Sequence, residues 1–428
     1  MNRKSKRFTL SNISQFVQKA CDLANNNEFF VRLDNHKISY PHGAFPNMIA
    51  FGSISSISLA ESSSAFNQFK EYIQKTQDWV FGYFSYDLKN DTENLYSRNA
   101  DHKSFPELLF FCPQNILEFH EDEVIIHSLG DPEKLFNEIL NHSPLDEVLE
   151  NETIEFKTET SREEYLEVIN KLRRHIYEGD VYEINYCMEY LAHSENINSY
   201  NYWLKLCEQS PTPFAAFLKA SQFSLICASP ERFIKKNKSK IISQPIKGTI
   251  HTGKGKLERK ENKEQLFNSE KERAENMMIV DLVRNDLAKS SKPGSVKVEE
   301  LFGIYEFRHL FHMISTVVSE AKDTVELVDI IKNAFPMGSM TGAPKIKVME
   351  LIEDYEKSKR GIFSGSIGYI DPSGNFDFNV IIRSLFYNSG TKLLSYNIGS
   401  AITYDSDPEQ EYEECQLKAK AIREIFQK

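Results

Sequence analysis

The hexapeptide Gln244-Pro245-Ile246-Lys247-Gly248-Thr249 marks the place where an apolar strand carrying Ile241 and Ile242 gives way to a loop. A lysine at that junction leaves an ordered element and points into whatever cleft the sheet edge lines. Its amine becomes a nucleophile when desolvation or a neighbouring cation lowers its pKa. Gly248 lets a substrate come close to the backbone. The same six residues also fit a surface lysine in a turn, and the chain on either side has to decide.

Upstream, Ser161 and Glu164 form a capping box. Tyr165, Ile169, Leu172 and Ile176 then recur at helical spacing until Gly179 ends the helix. Residues 181–191 follow as a strand, with Tyr182, Ile184, Tyr186, Met188 and Tyr190 on one face and Glu183, Asn185 and Glu189 on the other. Glu183 and Asn185 either face solvent or line a polar cavity.

Downstream lie two pairs of acids. Glu272 and Glu275 share one helical face at i,i+3 spacing, behind Ser269, which fits an N-cap paired with Glu272. Near the end of the sequence Asp407 and Pro408 read as N-cap and first helical residue, ahead of Glu411 and Glu414. The helix dipole accounts for acids in a first turn but not for Glu414. If the two helices face each other, four carboxylates converge. Such a cluster repels itself unless a hard cation is present, and oxygen-only ligation points to Mg²⁺ or Ca²⁺.

Between the pairs, residues 335–345 place small and hydroxylated side chains before a helix over 346–356, a possible anion cradle that lacks P-loop spacing. Residues 360–370 and 376–387 form a hairpin pattern about a turn at 371–375. A third strand over 392–398 ends in Gly399-Ser400-Ala401. Arg383, set among Val380, Ile381, Ile382, Leu385 and Phe386, needs either an internal acid or a ligand carboxylate.

The 428 residues carry a net charge of −11, 40% hydrophobic and 26% charged residues, as in ordinary globular proteins. No basic block outside residues 2–7 and 254–263 suggests nucleic acid, and no apolar run suggests a membrane span or secretory signal. The six cysteines lack any C-x-x-C pair and read as reduced core thiols of a cytoplasmic protein. Residues 1–150 are strand-rich with an aromatic run over 78–87. The polar stretch 131–155 is the candidate boundary before a unit spanning 151–428. Residues 253–264, lysine-rich and glycine-bearing, form a candidate lid.

Taken in order, nine blocks between about residues 178 and 420 resemble the chorismate-utilising enzyme family. They include Gly179-Asp180-Val181-Tyr182-Glu183-Ile184-Asn185, Ser229-Pro230-Glu231-Arg232-Phe233, the lysine hexapeptide, residues 272–287, 312–317, 335–345 and 360–369, Ile382-Arg383, and residues 405–418. The resemblance implies an α+β fold in which antiparallel sheets pack face to face as a two-lobed sandwich with helices outside. It implies Mg²⁺ held by the two glutamate pairs, with Glu275 and Glu414 as direct ligands and Glu272 and Glu411 acting partly through water. Arg383 and the Gly399 segment, with Ser400, take a carboxylate of chorismate. Thr249, His312 and Ser339 join the substrate site, and Glu231 resembles the general acid/base beside the C4 hydroxyl.

Lys247 selects a branch. Anthranilate, isochorismate and salicylate synthases usually carry alanine there, whereas a lysine is similar to the aminodeoxychorismate synthases, in which the amine forms a covalent adduct with the substrate. The family obtains ammonia from a glutamine amidotransferase subunit. None of the six cysteines sits in a G-x-C-x-G elbow, so the resemblance implies a separate partner in a heterodimer. C2 amination in the manner of anthranilate synthase, or non-catalytic chorismate binding, are the alternatives. Three departures from the pattern stand out. Glu183 replaces a common glutamine, and Phe363 replaces a tyrosine that contacts substrate. Residues 33–35 do not match a tryptophan-site signature, which leaves tryptophan binding open.

Overall fold

The helix that opens the second part of the chain shows how local chemistry sets the frame. In the computed structural model, which describes residues 3–61, 64–143, 154–195 and 197–426, Ser161 caps the helix Arg162–Glu178. Its hydroxyl accepts from Glu164 N at 3.2 Å while the Glu164 carboxylate accepts from Ser161 N at 2.9 Å. Gly179, at φ +86°, closes the other end, a conformation that favours glycine. Tyr165, Ile169 and Leu172 are buried against the strand layer.

Nineteen strands among the described residues form one hydrogen-bonded network, paired antiparallel. One arm runs from Glu183–His193 through Leu393–Ile402, Ser384–Asn388, Phe223–Ser229, Phe214–Ala220 and Phe29–Asp34 to Asn47–Leu59. The other runs from Leu108–His120 through Val80–Phe84, Ser366–Ile370, Phe376–Asn379, Arg232–Asn237 and Lys240–Gln244 to Leu310–Glu320 and Lys297–Phe307. The long strands Asn47–Leu59 and Leu108–His120 pair with each other and join the arms. One core draws Val31, Leu218 and Phe386 from the first arm against Phe81, Tyr83 and Ile367 from the second. Two further cores pack helices onto the outer faces. The architecture is therefore α+β, with facing antiparallel sheets and helices outside, as the sequence leads one to expect.

Several local expectations need correction. Residues 131–155 are not simply a polar boundary: Asp131 caps a helix over Pro132–Asn141 that buries Leu135 and Ile139. Residues 144–153, where the division near 150 falls, lie outside the described residues, and strand pairing crosses that division. The candidate lid contains a helix, Lys256–Asn268. The strand ending in Gly399-Ser400-Ala401 continues to Ile402, pairing Gly399 with Cys187 and Ala401 with Asn185. The reading of the six cysteines as core thiols needs no correction: all are free and buried.

Candidate active site

Lys247 does not sit in a loop. Pro245 interrupts the ladder, and a second strand, Ile246–His251, resumes it along Leu310–Glu320. The register jumps between Ile246↔Ile314 and Thr249↔His312, so Lys247 and Gly248 together oppose one residue. Such a bulge re-aims a side chain. Gly248 adopts φ +89°, and a Cβ there would lie 2.9 Å from Glu272 Oε2, so glycine suits both the turn and the close approach of the acid.

The lysine is 8% exposed, and its Nζ donates to Glu183 Oε1. Glu183 is fully buried, and its Oε2 has no partner. Of the two readings the sequence left open, the buried polar wall holds for both Glu183 and Asn185. Burial pushes the Lys247 amine down, but the carboxylates of Glu183 and Glu275 outweigh it and raise the pKa. That corrects the expectation of a lowered pKa: this lysine is held as an ammonium.

Glu231 lies between the strands Phe223–Ser229 and Arg232–Asn237 and is 4% exposed. Burial pushes its carboxyl up to about 7, against the lowering influence of Ser339, Lys247 and Arg383. A carboxyl near neutrality can both give and take a proton. Ser339, in the short turn Gly338–Met340, sits beside it, yet its Oγ makes no hydrogen bond of ordinary geometry. His312 accepts or donates at Nδ1 with Thr249 Oγ1, 2.9 Å away, and its Nε2 is buried without a partner. Burial, then Arg383, holds His312 well below the usual imidazole range, so the ring is neutral at pH 7.

Arg383 is not in a strand. The hairpin expected over 376–387 breaks after Asn379, and Arg383 occupies the connection to Ser384–Asn388 at φ +52°. A non-glycine residue there is strained, a feature that clusters at ligand sites. Among the described residues its guanidinium makes no ion pair or hydrogen bond, which removes the internal-acid alternative. Burial lowers it to about 10 while Glu231 opposes. An anion is what it lacks.

The acids come from two helices. Ser269 caps Glu270–Ser290, but its own N–H goes to Leu266 O at 3.3 Å, so the reciprocal half of the capping box is missing and the Glu272 carboxylate is free. Glu275 is 7% exposed with no hydrogen bond to Oε1, and burial lifts its pKa to about 7. Asp407 caps Pro408–Glu424 by accepting from Glu409 N and Gln410 N. Glu411 is buried and accepts from Ser406 Oγ at 2.8 Å, whereas Glu414 is half-exposed and pairs with Lys418 at 2.7 Å. Lys271 Nζ lies 3.9 Å from both Glu275 and Glu411, so the two helices do bring their acids together. Burial raises Glu272, and the charges of Glu414 and Glu411 add to the effect. The four carboxylates do not close into one tight shell. Among the described residues, His175, Glu178 and Asp180 are the one group of three or more whose ligand atoms all lie within 4.8 Å of one another.

One expected contact falls away from this cluster. Ser400 turns its hydroxyl to Tyr165 Oη, 3.0 Å away in the helix-side core. Gly399 stays beside the cluster: its carbonyl accepts from Lys418 Nζ at 3.1 Å, the lysine that pairs with Glu414, and a Cβ there would meet Tyr186 O at 2.4 Å. The sequence reading also missed a buried tie. Arg360 donates to Met340 O at 2.6 Å and Asn185 O at 2.9 Å while pairing with Glu356, so it fixes the Ser339 turn against the Glu183 strand. An arginine four residues after a glutamate, ahead of an apolar run, was the available signal.

The profile of the chorismate binding enzymes matches residues 35–424. The chain belongs to the chorismate binding enzyme family. Among these enzymes it is 32% identical over 366 residues to aminodeoxychorismate synthase component 1 of Bacillus subtilis, covering 82% of this chain and 77% of that one. It is also 32% identical over 354 residues to anthranilate synthase component 1 of Thermus thermophilus, covering 80% and 76%. The crystal structure of anthranilate synthase component I from Streptococcus pneumoniae superposes with TM-score 0.79 at 25% identity, covering 91% of this chain and 95% of that one. In this chorismate-binding enzyme, no helix among the described residues is long and apolar enough to cross a membrane.

Proposed function

We propose that the enzyme aminates chorismate at C4, giving 4-amino-4-deoxychorismate on the route to 4-aminobenzoate and folate. The observation that carries this reading is Lys247, buried on a bulge with Glu183, Glu231 and Glu275 as its charged neighbours. The lysine first passes a proton to Glu183, the acceptor already in contact with it. Its lone pair then adds at C2, the ring double bond shifts, and the C4 hydroxyl leaves as water with the proton of Glu231. Ammonia adds at C4, the double bond shifts back, and the lysine leaves C2. These are two displacements through a covalent adduct. Arg383 holds one substrate carboxylate, with His312, Thr249 and Ser339 lining the same wall.

The all-oxygen donor set and Glu275 Oε1, which accepts no hydrogen bond, suit a hard cation. We assign Mg²⁺ to Glu275 and Glu414, with Glu272 and Glu411 acting partly through water. When bound, the ion neutralises the second carboxylate of the substrate. The name of the Bacillus relative, a component 1, supports a separate ammonia-supplying subunit, which we take to be a glutamine amidotransferase.

A second reading has its own observation. The Glu183 ion pair holds Lys247 as an ammonium, and an amine so held leaves C2 open to ammonia, as in an anthranilate synthase. Mass spectrometry of the products from chorismate, Mg²⁺ and ammonium separates the two. A species with amine in place of hydroxyl and the enolpyruvyl group intact is expected. Anthranilate with pyruvate would overturn the C4 assignment.

A further inference from the structure

We propose that Lys271 is the counter-cation that bridges the two helices of the four-glutamate cluster and competes with the divalent ion for it, which sets how much Mg²⁺ the site requires. The inference rests on the placement of Mg²⁺ given above. Lys271 is the second residue of the helix Glu270–Ser290. A cation in a first turn works against the helix dipole, and a lysine placed four residues before a glutamate is the weaker order for an ion pair within a helix. Local helix chemistry therefore gives no reason for a lysine here.

Its surroundings do. Nζ stands 3.9 Å from Glu275 Oε1 on its own helix and 3.9 Å from Glu411 Oε1 on Pro408–Glu424. Among the described residues no other cation lies within 4 Å of either carboxylate. Glu414 has Lys418 instead, and Glu183 has Lys247. Among the described residues Lys271 is thus the one lysine within 4 Å of acids on both helices, while the charge of Lys247 reaches Glu275, Glu272 and Glu414 from the strand wall. Its side chain is 50% exposed, so it can swing into solvent without opening a cavity. A divalent ion held directly by Glu275, with Glu411 acting through water, draws on the same two carboxylates and displaces the lysine, and the exchange reduces the apparent affinity for the ion.

The test is Mg²⁺ titration of the whole chain by calorimetry and by thermal shift. Lys271→Gln should bind Mg²⁺ about 3- to 10-fold more tightly, the range expected for losing two partly exposed ion pairs. It should melt below the parent without Mg²⁺ and level with it at saturation, whereas Lys271→Arg should match the parent. Equal or weaker binding by Lys271→Gln would overturn the proposal. Glu275→Gln reports on the underlying site: if its Mg²⁺ response equals the parent's, the ion lies elsewhere and the placement of Mg²⁺ falls first. If Glu275→Gln loses the response while Lys271→Gln matches the parent, the competition alone is wrong.

Discussion

The two walls of the site are built on different principles. On one, Lys247, Glu231, His312 and Glu183 project from strands or strand ends, each deeply buried and most bonded to a named neighbour. On the other, Glu272, Glu275, Glu411 and Glu414 stand in the first two turns of two helices, two of them partly exposed, with Lys271 between the helices and Lys418 on Glu414. Strand geometry, enforced from both sides by the ladder, fixes atoms that must meet a reacting carbon. Helix ends supply charge at a point but tolerate adjustment of the ligand shell. Under the proposed reaction, bond-making belongs to the rigid wall and charge neutralisation to the adjustable one.

That division can be broken from either side. The largest effect belongs to Lys247→Ala, which should lower C4 amination by on the order of 10⁴-fold, as removal of a nucleophile does elsewhere, while calorimetry still shows chorismate binding. An unchanged rate would move the chemistry off the strand wall. Glu231→Gln should cost about 10³-fold. As an acid with a pKa near 7, Glu231 should also make kcat/KM of the parent fall as pH rises through 7, and the variant should lose that limb.

The same group bears on stability. Its folded pKa lies above the ordinary 4.5, so its favourable contribution is complete below pH 4.5 and disappears as pH rises through 7. That loss amounts to roughly 3 kcal/mol. Denaturation curves of Glu231→Gln should therefore be flatter between pH 5 and 8. Next in size, Arg383→Gln should raise the KM for chorismate about 10- to 100-fold through loss of charged hydrogen bonds, with a smaller change in kcat. Smallest is Gly248→Ala, which introduces a Cβ at φ +89° and 2.9 Å from Glu272 Oε2. It should cost about 1–3 kcal/mol of stability and shift the Mg²⁺ midpoint, because Gly248 is where the two walls touch.

Much of the frame was legible from residue spacing. The capping box at Ser161, the Asp407-Pro408 helix start and the i,i+3 acid pairs are local signals, and the structure reproduces each because caps and helical faces are decided within one turn. Other features depended on distant partners. No local pattern says that Glu183 meets Lys247 across 64 positions, or that the pairing raises the lysine pKa. The bulge at Lys247-Gly248 exists only relative to the strand Leu310–Glu320, so the sequence around Pro245 read as a loop. Ser400 was misjudged for a similar reason: alternation along Leu393–Ile402 sends its hydroxyl to the helix side, and that alternation showed only once the strand's full length was known.

The pairing of Val80–Phe84 with Ser366–Ile370 has a consequence for biogenesis. Ser366 sits opposite Phe84, so an edge made early in synthesis waits for about 280 further residues, roughly 15 to 60 s at ordinary elongation rates. During that interval Val80, Phe81, Tyr83 and Phe84, all fully buried in the finished fold, have no strand on that side. Loop closure over such a span slows folding. The aromatic edge is then a natural client for a chaperone on the nascent chain, and nascent chains stalled before residue 366 should aggregate where those released after it do not.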